Sequence, residues 1–213
     1  MMGRPYVLAE TNWKVVENTN YDVAVLPWGA TEAHNYHLPY GTDNIECDRI
    51  AAEAARRAWE RDAKIIVLPT IPFGVNTGQM EIKFDINLNP STQLVVLKDI
   101  VEILDHQGIS KLVILNGHGG NIVPGTQAIN ELVNESKVYD DMWLALGSYW
   151  TIAAPNMSAE LHGMTSKQLS HACEYETSMM LHVQGELVRM ERVTASPPLV
   201  DTPYYHSEHG GRV

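Results

Sequence analysis

KLVILNGHGGN, residues 111–121, decides how the rest of the chain is read. Lys111 to Leu115 is a short apolar run containing Val113 and Ile114, and it reads as a buried strand. Asn116-Gly-His-Gly-Gly-Asn121 follows at once as a loop, and Pro124 to Asn134 then fits a helix. Upstream, Asn89-Pro90 is a helix start, because Asn can cap free N–H groups and Pro suits the first helical position. Leu94, Leu97, Val101 and Leu104 form an apolar stripe along that helix, and Gly108 stops it. Further out lie a strand over Tyr21–Trp28, a helix over Asn44–Arg61 and a strand over Ile65–Leu68 closed by Pro69. On the other side come a strand over Met142–Leu146, a loop with Pro155 and Gly163, and a helix from about Gln168 to His182. Thr70 to Leu88 has no clear period and reads as a long loop. Strands alternating with helices imply βαβ units, hence an α/β fold with a mostly parallel sheet covered by helices. No repeat, low-complexity tract or linker divides the chain, so one domain over residues 1–213 is expected.

Bulk properties exclude several classes of function. A content of 45% hydrophobic and 19% charged residues is that of an ordinary globular protein, and 213 residues can bury a core without disulfides. No stretch approaches the roughly 20 apolar residues that cross a bilayer, so no membrane partner is expected. Met1 to Thr11 lacks a basic, then apolar, export signal, and Cys47 and Cys173 stand far apart without CxxC spacing. Reduced thiols and a cytoplasmic location are the reading. A net charge of -11 with 15 dispersed basic residues argues against a nucleic-acid partner.

In open α/β sheets, functional groups gather where strands end. Two polar clusters sit at such places. After the strand ending at Trp28 come Glu32 and His34, two residues apart and so on one side of an extended backbone, then Asp43 beyond a Pro- and Gly-containing loop. The second is His118, in the glycine loop after the strand over Lys111–Leu115. Imidazoles with carboxylates from separate loops form a mixed N/O set that Zn²⁺, Mn²⁺ or Fe²⁺ accepts. Other readings stand beside this one. Glu32 could accept from a helix N-terminus, Asp43 could cap the helix near Asn44, and the glycine loop could cradle a phosphate, although neither a P-loop Lys-Ser/Thr nor GxGxxG is present. A third cluster, His171-Ala-Cys-Glu174-Tyr-Glu176-Thr-Ser178, falls on the late helix. Five residues apart, His171 and Glu176 would be offset by about 140° on a helix. Either the helix begins between them or one points elsewhere.

At these residues the sequence resembles the creatininase (creatinine amidohydrolase) family. The likeness runs through Leu26-Pro-Trp-Gly-Ala-Thr-Glu-Ala-His34, His37-Leu-Pro39, Thr42-Asp43, Asn116 to Asn121 and His171 to Ser178. It implies a three-layer α/β/α fold, assembly as a homo-oligomer such as a hexamer, and a pair of divalent cations, Zn²⁺ first with Mn²⁺ or Fe²⁺ as alternatives. By position, Glu32 and His118 resemble ligands of one cation and His34 a ligand of the other, with Asp43 bridging both. The implied reaction is hydrolysis of a C–N bond in a small-molecule amide, cyclic amide or formamide by a hydroxide held between the cations. His171 matches the catalytic histidine that gives a proton to the departing nitrogen. The other reading is a protein that keeps this fold and binds metal or ligand without turnover.

Three departures sharpen these expectations. Creatininases proper carry a Glu two residues after the loop histidine, where this chain has Gly120; Glu176 is the expected replacement ligand. The Trp and Glu that precede the catalytic histidine of creatininase are Gln168-Leu169-Ser170 here, whereas Trp150 resembles a substrate-shielding tryptophan. Trp150, Gly119 and Gly120 are therefore the expected substrate-contacting positions. Relatives with the His-Gly-Gly loop include formamide hydrolases and peptide-trimming enzymes, which leaves the substrate field wide. Thirdly, family members continue past the position of Val213 with a further helix, so the C-terminal segment is expected to be shortened relative to them.

Overall fold

Val23–Trp28 forms β1, and its alternation sorts the molecule into layers. In this computed structural model, which describes residues 3–135, 142–153, 163–165 and 170–194, Ala24, Leu26 and Trp28 face one side of the sheet and Val25 the other. A strand with both faces apolar must be covered twice. The helix α2 (Thr42–Trp59) covers the Val25 side with Cys47, Ala51, Ala52 and Ala55, small residues that let it lie close to the strands. The helices α3 (Pro90–His106) and α4 (Ile122–Glu135) cover the other side with Leu97, Val101, Leu104, Ala128 and Leu132. The result is an α/β/α sandwich, as expected.

The remaining strands are β2 (Ile65–Val67), β3 (Lys111–Asn116) and β4 (Trp143–Ser148), all parallel to β1 in the order β2-β1-β3-β4. Pro27 sits in a central strand without an N–H. It is tolerated because β2 pairs only as far as Val67 with Val25, so no β2 acceptor lies opposite the missing donor. The chain runs from β1 to β2 across one face, then returns across the other to β3. The switch point therefore falls between β1 and β3, whose last residues, Trp28 and Asn116, are paired. Loops leaving these two strand ends emerge side by side, which is where a doubly wound sheet places its ligand.

Several expected boundaries move, and some moves matter. The helix α2 begins at Thr42 rather than Asn44, so Asp43 is its second residue and Gly41 occupies the cap. Asp43 is thus not a capping side chain. Asn89 does precede Pro90 at the start of α3, but its side chain makes no capping hydrogen bond. Short helices α1 (Trp13–Glu17), capped by Asn12, and α5 (Tyr149–Ala153) lack enough length for a sequence period. The last described helix, α6 (Glu174–Gln184), starts later than expected and packs on α2; Gln168 and Leu169 lie outside the described residues. Between β2 and α3, Thr70–Leu88 is irregular as expected, apart from one 3₁₀ turn at Thr77–Gln79. Among the described residues no helix is long and apolar enough to cross a membrane.

Candidate metal centre

Five side chains from four elements meet at the switch point. Glu32 and His34 come from the loop after β1, Asp43 from the first turn of α2, His118 from the loop after β3, and Glu176 from the first turn of α6. Glu32, His34 and Asp43 are at most 2% exposed. Burying that many ionisable groups together is costly unless each is compensated.

The histidines show how compensation is arranged. His118 Nε2 lies 3.0 Å from the Val75 carbonyl, His34 Nδ1 lies 3.2 Å from the Glu32 carbonyl, and His171 Nε2 lies 2.6 Å from the Ala33 carbonyl. A carbonyl can only accept, so each of these nitrogens carries the N–H. The opposite nitrogen of each ring then presents its lone pair to the carboxylates. His118 Nδ1 is 2.8 Å from Glu32 Oε1 and 3.1 Å from Asp43 Oδ2, while His34 Nε2 is 2.9 Å from Asp43 Oδ1 and 3.8 Å from Glu176 Oε1. His171 Nδ1 is 3.5 Å from Glu32 Oε1. Glu32 Oε1, His34 Nε2 and Asp43 Oδ2 are buried without a hydrogen-bond partner. Acceptors converging on acceptors require a cation between them, either a proton or a metal ion. Glu32–Asp43–His118 and His34–Asp43–Glu176 each gather ligand atoms within 4.8 Å of one another, and Asp43 belongs to both sets. The donor set therefore fits a pair of divalent cations sharing one carboxylate.

Two of these carboxylates are held from behind. Glu32 Oε2 accepts from Gln79 Nε2 at 2.7 Å, and Glu176 Oε2 accepts from the Cys173 backbone N–H at 3.1 Å. Each thereby offers its other oxygen to the centre. Cys173 is the N-cap of α6, and Ala172 before it has φ 51°, so the chain turns sharply between His171 and Glu176. That turn resolves the helical offset: the helix begins between the two residues, and both reach the cluster. The ring of His171 packs on that of His34 with centroids 4.2 Å apart.

Protonation follows the same geometry. Burial opposes a charge on His34, but Asp43, Glu176 and Glu32 outweigh it and push the imidazole up to about 10. His118 is likewise held well above its usual range against its own burial, by Glu32 and Asp43. Burial pushes Glu176 up to about 7. For His171, burial and the neighbouring His34 push the other way, keeping its ring neutral. In the cation-free chain the folded state thus holds more protons than the unfolded one above pH about 6.5, the ordinary histidine value. The stability from protonated His34 is complete below that pH and is lost as pH rises toward about 10; Glu176, raised by burial, works in the same direction. Chelator-treated protein should therefore melt at lower temperature as pH rises from 6.5 to 9. Zinc uptake should release protons, read by titration calorimetry in two buffers of different ionisation enthalpy. Equal heats in both buffers would contradict it.

Gly120 explains why this chain lacks the Glu expected there. A Cβ at that position would stand 2.0 Å from the Val75 carbonyl oxygen and 2.5 Å from His118 Nε2, the two atoms that fix the ring. A side chain there would disturb that hydrogen bond, and the Glu176 carboxylate reaches the same cluster from α6. Gly119 by contrast faces open space. The loop's asparagines act as brackets: Asn116 Oδ1 accepts from His118 N at 3.1 Å, and Asn121 Nδ2 donates to the Gly29 carbonyl at 3.0 Å. Glu32 and Asp43 stand beside His118 in this loop, and their charge disfavours a phosphate in the cation-free chain. Trp150 is half-buried on α5, its ring edge-on to Tyr149 at 5.0 Å.

Gln79, Val75 and Asp85 escaped the sequence because they lie in an aperiodic loop, where nothing local marks them. Glu46 and Tyr149 carried a faint signal: Glu46 is three residues after Asp43, one turn along the same helix. Tyr149 Oη donates to Glu46 Oε2 at 2.5 Å, and burial pushes the Glu46 carboxyl up to about 8.

Comparison with known proteins agrees with this geometry. The profile of the creatininase family, described as creatinine amidohydrolase, matches residues 9–211. The chain belongs to the creatininase family. It is 26% identical to the creatinine amidohydrolase of Pseudomonas putida over 95% of this chain and 81% of that protein. It is 27% identical to the mycofactocin precursor peptide peptidase of Mycobacterium ulcerans strain Agy99 over 80% of this chain, which spans 62% of that peptidase. Among solved structures, a creatinine amidohydrolase candidate from Bacteroides fragilis NCTC 9343 superposes with a TM-score of 0.79 at 39% identity, covering 91% of this chain and 73% of that one. Creatininase in a Mn form (TM-score 0.76, 26% identity) and a creatininase variant in a Zn-Zn form (0.75, 25% identity) each cover 94% of this chain and 81% of their own.

Proposed function

We propose that this chain is a two-metal amidohydrolase that cleaves a C–N bond in a small amide, cyclic amide or formamide. The observation that carries this reading is the convergence of carbonyl-fixed imidazole lone pairs on buried, unpartnered carboxylate oxygens. Glu32, Asp43 and His118 would hold one divalent cation and His34, Asp43 and Glu176 the other. Divalent cations there would supply Lewis-acid polarisation of a carbonyl and make water acidic enough to attack it near neutral pH. Zinc is the first choice for such nitrogen and oxygen ligands, with manganese next.

The chain's own residues do the rest. His171 has Nε2–H committed to the Ala33 carbonyl, which leaves Nδ1 as the one proton-accepting atom and aims it at the centre. Its neutral ring can take a proton at Nδ1 and return it to the departing nitrogen. Gly119, open to space, and Trp150, on the helix that follows β4, are the expected substrate walls. A small neutral or cationic substrate suits the surrounding negative charge better than an anion.

The test combines metal analysis with turnover. Purified protein should retain about two zinc or manganese ions per chain and hydrolyse at least one member of a panel of lactams, formamides and short peptides. Two retained ions without hydrolysis of any of them would favour a binding protein that keeps this fold. No tightly held ion at all would remove the proposal.

A further inference from the structure

The loop from Gly74 to Leu88 bears none of the five ligands, yet it touches the machinery at three points. Its base is closed by the Leu88 N–H on the Gly74 carbonyl at 2.8 Å. From there Val75 O fixes His118 Nε2, Gln79 Nε2 donates to Glu32 Oε2, and Asp85 Oδ1 accepts from the Ala33 N–H at 2.7 Å. Ala33 in turn offers its carbonyl to His171. The loop is tied down by the Ile86 N–H on the Thr31 carbonyl at 3.1 Å and by Tyr40 Oη on the Lys83 carbonyl at 2.8 Å. Phe84, at φ 70°, holds the left-handed conformation that a bulky residue adopts only when its surroundings impose it.

Within this loop Gln79 has a particular position. Its Nε2 is bound to Glu32, and its Oε1 is buried with no hydrogen-bond partner. By occupying Oε2, Gln79 leaves Oε1 as the single Glu32 oxygen facing His118, His34 and His171.

We infer that Gln79 is a positioning residue for the Glu32 carboxylate, so that filling the Glu32–Asp43–His118 position and docking the Gly74–Leu88 loop are one coupled equilibrium. This rests on the two-metal reading above. Groups that orient a metal ligand from behind typically set ~10–100-fold in affinity. Linkage requires the reverse effect too: a cation that binds the docked loop more tightly must favour docking.

The experiment uses the full chain, zinc, and two substitutions. Gln79→Glu keeps the shape but turns the donor into an acceptor, and Gln79→Leu removes the donor without adding charge. At buffered free zinc where the parent holds two ions, both variants should hold one, with affinity for the first position lowered ~10–100-fold. Zinc should slow tryptic cleavage after the exposed Lys83 in the parent and do so far less in either variant. Circular dichroism with the parental spectrum and a cooperative melt above the assay temperature for the cation-free variants shows that the fold is intact. Two ions at parental affinity in both variants, with zinc protecting Lys83 as before, would overturn the inference. So would a loss confined to Gln79→Glu, since added charge rather than the missing donor would then be the cause. A parent that binds no zinc would remove the two-metal reading itself, and this inference with it.

Discussion

Asp43→Asn is expected to empty both cation positions at once. Asp43 is the one residue shared by the two ligand sets, with Oδ1 toward His34 and Oδ2 toward His118. Asparagine keeps the shape of the side chain but replaces one acceptor with an N–H₂ that faces an imidazole lone pair. Metal analysis after dialysis should fall from about two ions per chain to less than one. Hydrolysis should fall by three orders of magnitude or so, since the Lewis-acid contribution is worth several kcal/mol. A second readout needs no substrate. In the cation-free chain Asp43 is the leading partner that raises His34, so its imidazole should titrate well below the parental value of about 10 in the variant, as followed by NMR. Retention of two ions at parental affinity would mean that Asp43 bridges nothing.

The parts of this centre that the sequence made legible share a physical property. Glu32, His34 and His118 follow strand ends, and strands announce themselves through short apolar runs bounded by Pro and Gly. Asp43 was legible as a residue, but its competing role as a cap could be discarded only when α2 proved to start at Thr42. His171 and Glu176 were ambiguous for the opposite reason. Helical periodicity in residues 168–182 does not show where the first turn begins, and the left-handed Ala172 that separates the pair has no signature in its type. The layered sheet was legible because alternating strands and helices permit few topologies. The loop over Gly74–Leu88 was not, because its order comes from hydrogen bonds to distant carbonyls and amides rather than from its own period. Gly120 shows the same limit from the other side. Its sequence position suggested a missing ligand, whereas the structure shows a place where a Cβ would meet the Val75 carbonyl at 2.0 Å.

His171→Ala should separate proton transfer from cation binding. The His171 imidazole stands beside both ligand sets, its ring tilted by 36° against that of His34, with Nδ1 3.5 Å from Glu32 Oε1. Its atoms also fall within 4.8 Å of Glu32 and His34 in a set that could itself hold an ion. Two features favour the proton-transfer role. Glu32 Oε1 is nearer His118 Nδ1, at 2.8 Å, than His171 Nδ1, and in the cation-free chain burial and the neighbouring His34 lower the His171 pKa where the other two rings are raised. A neutral ring with one free nitrogen suits a group that must both accept and release a proton near neutral pH. The alanine variant should therefore keep about two ions per chain while kcat falls by roughly 10²–10⁴-fold, with KM changed far less. Added imidazole should restore part of the rate by occupying the vacated space, and the acid limb of the pH–rate profile should disappear with the ring that produced it. Loss of an ion in His171→Ala would reassign the residue as a ligand, and proton delivery would then have to come from another group at the mouth of the site.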